Sequence, residues 1–105
     1  MRLVVVSCAP AEAEGLLRRL LEERLVACGN ILPAVRSRYW WEGRICEDDE
    51  ALLLMESSAV LAPALIERIR ALHSYQVPKI LVLPVETTLP AYAAWLAGVV
   101  AAPVG

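Results

Sequence analysis

Hydrophobic positions along this chain switch between strand-like runs and helical stripes. Leu3 to Ser7 is a short valine-rich run, which predicts a strand buried on both faces. Pro10 then opens a helix. Its acids, Glu12 and Glu14, sit near the N-terminus and Arg18, Arg19 and Arg24 towards the C-terminus, as the helix dipole favours. Leu17, Leu20, Leu21 and Leu25 fall on one face of it. Gly29-Asn30 precede a long strand, Ile31 to Trp41, broken near its start by Pro33. Glu42-Gly43 turns the chain into a second long strand, Arg44 to Glu56. Ser58 is the expected N-cap of a helix carrying Leu61, Leu65, Ile69 and Leu72, where Pro63 is tolerable only in the first turn. Val77 to Val85 reads as another buried strand, with Pro78 at its start. Thr88 and Pro90 begin a short C-terminal helix with Leu89, Tyr92, Leu96 and Val99 on one side.

The order is βαββαβ plus a terminal helix, over a single domain spanning residues 1–105. That is the split βαβ, ferredoxin-like α+β pattern, with helices on one face of a four-stranded antiparallel sheet. Its strand order, 4-1-3-2, brings distant residues together. The end of the first strand, carrying Cys8, meets the start of the fourth, just after His73-Ser74-Tyr75-Gln76. The acidic start of the third strand reaches the same end, whereas Cys28 begins the second strand at the other.

Tyr39-Trp40-Trp41-Glu42-Gly43 ends the first long strand in a chain with three tryptophans and no phenylalanine. Side chains alternate faces along a strand, so one sheet cannot bury both Trp40 and Trp41. Something outside the monomer core is expected to cover at least one of them. A two-residue turn sets Arg38 opposite Glu47 and Arg36 opposite Asp49; a bulge at Gly43 would set Arg36 opposite Asp48 instead. In both registers Glu47-Asp48-Asp49-Glu50 reads mainly as a charged strand face.

The 58% hydrophobic content exceeds the usual ~45–50%. In so short a chain this points to burial against other subunits. The longest apolar stretch, Ala91 to Ala102, falls short of the ~20 residues of a membrane span. Arg2 leads straight into the first strand without a signal segment, so a cytoplasmic location is expected. Net charge is −2, with one lysine beside nine arginines and no basic stripe, which disfavours nucleic acid. Cys8, Cys28 and Cys46 lack a C-x-x-C spacing and are expected as free thiols.

Cys8 and His73, the single histidine, offer a thiolate and an imidazole, ligands preferred by Cu(I), Cu(II) and Zn(II). Two ligands make a weak site unless an acid, a Met or a neighbouring subunit completes it. Cys8 also suits a small buried hydrophobe, and His73 a helix C-terminus. A nucleophile–base pair is the remaining option. No third orienting residue or oxyanion loop accompanies it, so no enzyme is expected.

Cys8-Ala9-Pro10, Glu22 to Cys28 with Asn30-Ile31 and Pro33, Arg36-Ser37 with Tyr39 to Gly43, and Leu72 to Pro78 together resemble the CutA proteins, associated with divalent-cation tolerance. Leu83-Pro84-Val85 and Tyr92 to Leu96 extend the resemblance to nearly the whole chain. It implies a compact homotrimer whose long hairpins pair between neighbours, with Trp40 and Trp41 at the trimer interface. It also implies copper binding, as Cu2+ or Cu+, through Cys8 and His73. Leu72 stands where some relatives carry a second His, Ser74 where Pro is usual, and Lys79 where Glu is usual. The resemblance thus implies a trimeric cytosolic protein of copper tolerance that binds its metal weakly. The alternatives are a module resembling the PII class, with Arg36, Tyr39, Tyr75 and Gln76 lining a cleft between subunits, and a scaffold trimer. No Gly-rich loop points to a nucleotide as the cleft ligand.

Overall fold

The computed structural model describes residues 1–100; Ala101 and Ala102 of the apolar C-terminal stretch lie outside them. The chain forms β1 (Arg2–Cys8), a 3-10 turn (Pro10–Glu12), α1 (Ala13–Glu22), β2 (Cys28–Trp41), β3 (Arg44–Ser57), α2 (Ala62–Leu72), β4 (Ile80–Pro84) and α3 (Pro90–Val99). One sheet holds all four strands in the order β2-β3-β1-β4, every pair antiparallel. This is the ferredoxin-like arrangement expected from the element order.

Val4, Val6 and Cys8 of β1 and Ala51, Leu53 and Met55 of β3 face α1 and α2. With Leu16, Leu17, Leu20, Leu65 and Ile69 they form the core. Burying each large side chain contributes about 1.5–3 kcal/mol. The helical face of α1 is Ala13, Leu16, Leu17 and Leu20, not the expected set ending at Leu25. Arg24 takes φ 56°, a left-handed residue that ends the helix. Leu25 then donates to the Leu20 carbonyl and Arg24 to Leu21, both at 3.0 Å, so Leu25 packs on the core from outside the helix. Ser58 Oγ accepts the Leu61 N–H at 3.2 Å in the turn leading into α2.

β1 and β4 differ from the fully buried strands expected. Leu3 and Val5 are only half-buried, and β4 is a five-residue edge strand whose Leu81 and Leu83 are 48% and 43% exposed. The cause is the layering: helices α1 and α2 cover one face of the sheet, and the opposite face keeps Leu32, Leu81 and Leu83 accessible.

On that opposite face Glu56 reaches Tyr92 of α3, whose hydroxyl donates to Oε1 at 3.5 Å. Oε2 is buried with no partner among the described residues. Burial pushes the Glu56 carboxyl above the usual carboxylate range, and the Tyr92 bond offsets this only in part. A raised carboxyl contributes its full stability below its ordinary value and loses it as pH rises through the raised one. Glu56→Gln is therefore expected to stabilise the fold near neutral pH, since it removes a buried charge. The gain should vanish near pH ~3, where both states are protonated. Denaturation midpoints of both proteins at the two pH values check this.

Candidate functional site

β2 and β3 are 14 residues each and β1 is 7, so the hairpin outruns its neighbour. The β1–β3 ladder ends at Cys8 and Ala51, leaving β3 from Arg44 to Glu50 paired with β2 alone. Glu42 (φ 50°) and Gly43 (φ 79°) form the two-residue turn with both residues left-handed, as a type I′ hairpin requires. Arg38 pairs with Glu47 and Arg36 stands opposite Asp49, the register of a two-residue turn. The irregularity falls between Leu32 and Val35, around Pro33, which lacks a ladder N–H.

Cys8 and His73 both lie at the open end of β1, and both are buried. His73 follows α2 at its C-terminus. Its Nε2 donates to the Ser7 carbonyl at 2.8 Å, just beyond the last β1–β4 pair, Val6–Ile80. Its Nδ1 accepts the Tyr75 N–H at 3.1 Å. A carbonyl only accepts and an amide N–H only donates, so this arrangement suits the tautomer with its proton on Nε2. Neither nitrogen is left for a metal. The Cys8 thiol is pushed up to about 11, first by burial and then by the charges of Glu12 and Glu50, so it stays protonated at neutral pH. No group of three or more His, Cys, Asp or Glu side chains suited to a metal occurs among the described residues. As they stand, these residues do not fit a tight copper site.

The loop after His73 is anchored at both ends. Ser74 donates its N–H and its hydroxyl to Glu12, at 3.2 and 2.5 Å. Proline, which the resemblance would place here, offers neither group. Tyr75 stacks obliquely on His73 with ring centroids 4.6 Å apart, and its hydroxyl donates to Glu50 at 2.8 Å.

Beside this loop, along the unpaired edge of β3, lies a pocket of about 410 Å³. Tyr39, Trp41 and Tyr75 give it aromatic walls; Asp48, Asp49 and Gln76 supply polar groups, and Ala9 and Val77 complete it. Successive strand residues point to opposite faces, so Asp48 and Asp49 both border one space only because it runs along the edge. The Tyr39 hydroxyl donates to Asp48, and that bond pushes the phenol up to about 12. Tyr39, Tyr75 and Gln76 thus meet in one pocket, and Arg36 does not line it. Trp40, 72% exposed, points away, while Trp41 at 40% exposure joins the wall. Asp48 and Glu50 were hidden in the acidic run; Tyr75, whose hydroxyl bonds Glu50, is the signal that could have singled out an acid.

An α+β ferredoxin-like domain with an overlong β2–β3 hairpin and a cleft at its foot is the class these features define. The chain belongs to the family of the CutA1 divalent ion tolerance protein, whose model matches residues 2–99. It is 43% identical over 98 residues to the divalent-cation tolerance protein CutA of Thermus thermophilus, covering 91% of this chain and 95% of that one. To mouse protein CutA it is 40% identical over 84 residues, 80% of this chain and 48% of the mouse protein. The chain spans about half the length of the animal and plant relatives it matches. The crystal structure of CutA1 from Pyrococcus horikoshii superposes with a TM-score of 0.92 at 35% identity, covering 97% of this chain and all of that one.

Proposed function

We propose that this chain is a non-catalytic homotrimer of divalent-cation tolerance, working in the cytoplasm, that takes up copper weakly. The observation that carries the assembly is the unfinished sheet. Leu32, Leu81 and Leu83 stay exposed on the face opposite α1 and α2. An apolar patch of this kind is a common site of contact with another chain. The role in cation tolerance is supported by the family. Three free thiols suit a reducing compartment. Copper enters as a weak ligand, because Cys8 must lose its proton and His73 one hydrogen bond before either binds.

Native mass spectrometry during a copper titration under reducing conditions tests both parts. A trimer gaining one copper per subunit only at excess, with uptake lost in Cys8→Ser and in His73→Ala, is the expected result. A monomer throughout would overturn the assembly, and undiminished uptake in the double variant would overturn the site. A second role, as a module binding a small molecule in its clefts, is favoured by the pocket at the hairpin foot, whose aromatic walls and polar groups converge on one space.

A further inference from the structure

We propose that the pocket at the foot of the hairpin binds a small organic cation, an alkylammonium compound, held by carboxylates on one side and aromatic faces on the other. The proposal rests on the ligand-binding role of this cleft and names the class of its ligand. Among the residues lining the pocket, Asp48 and Asp49 are acidic and none is basic. Glu50 adds a third carboxylate just behind, bonded to the Tyr75 hydroxyl. Arg38 is turned onto Glu47 at 3.2 Å, and Arg36, opposite Asp49 on β2, does not line the pocket. The charge of the lining therefore favours a cation over an anion.

The aromatic walls decide between kinds of cation. Tyr39, Trp41 and Tyr75 all border the space, and an organic cation is attracted to the electron-rich face of each such ring. A bare divalent ion needs several converging oxygens. Here Asp48 already accepts the Tyr39 hydroxyl and Glu50 that of Tyr75. No metal-holding group forms among the described residues. A volume of about 410 Å³ is within the range of small-molecule pockets. Gln76 supplies one neutral polar group for the non-ionic part of such a ligand.

The test is an NMR titration of the whole protein with tetramethylammonium chloride, following the amide signals of Gln76 and Val77 and the indole of Trp41. Tert-butanol serves as the neutral match, sodium acetate as the anion, magnesium chloride as the inorganic cation and sodium chloride as the baseline. Saturable shifts with tetramethylammonium alone are expected, with Trp95 unmoved. Trp41→Leu and Asp49→Asn should each weaken binding at least about tenfold, and Trp95→Leu should leave it unchanged. Tighter binding of tert-butanol, acetate or magnesium would overturn the cation class while keeping a ligand role for the cleft. Silence with every probe would overturn both. Tetramethylammonium binding that survives Trp41→Leu and Asp49→Asn would overturn the assignment to this pocket.

Discussion

His73→Ala is expected to lower the stability of the fold by about 3 kcal/mol. The imidazole is buried and its two nitrogens hold the Ser7 carbonyl and the Tyr75 N–H, joining the end of β1 to the loop that follows α2. Truncation leaves both backbone groups without partners and opens a gap beside Cys8. Urea or guanidinium denaturation with unchanged slope and a lowered midpoint is the measurement. His73→Gln, whose amide can still donate to Ser7, should recover part of the loss. Wild-type stability in His73→Ala would overturn the anchoring role of the ring.

Gly29→Val is expected to cost about 2–3 kcal/mol by overpacking. A Cβ at Gly29 would lie 2.3 Å from Leu17 Cδ1, 3.0 Å from Cδ2 and 3.2 Å from Cγ. Leu17 belongs to the core face of α1, so its side chain has little room to retreat. The glycine is there to let α1 lie close on β2. Pairing Gly29→Ala with Leu17→Ala in a double-mutant cycle should give a combined loss smaller than the sum, since the second change removes the clash. Strict additivity would mean that the helix and strand yield at this point without conflict.

Much of the architecture was legible because it depends on local pattern. Leu3 to Ser7, Pro10, the Glu42-Gly43 turn and Pro63 marked where elements begin and turn. The sequence narrowed the hairpin to two registers, and the left-handed pair Glu42 and Gly43 selects that of the two-residue loop. Misplaced details have equally local causes. Leu25 keeps helical spacing with Leu21, and only the left-handed Arg24 takes it out of the helix. β4 looked buried because Ile80 to Leu83 is uniformly apolar, and apolarity does not tell a covered face from a bare one.

The site was half visible for a different reason. Topology brought Cys8 and His73 to one end of the sheet, and residue type alone then suggested a metal. Residue type does not say where hydrogen bonds go. In the fold, His73 spends both nitrogens on backbone, Cys8 is buried beside Glu12 and Glu50, and the open space lies next to them, between Tyr39, Trp41, Asp48 and Tyr75.

The sequence by itself determined the elements, their order and the end of the sheet where the reactive side chains gather, since all of these follow from periodicity, turn chemistry and chain connectivity. Only the tertiary structure decided which of those side chains are spent on holding the backbone and which border an open pocket, because that depends on how a seven-residue β1 ends against a fourteen-residue β3.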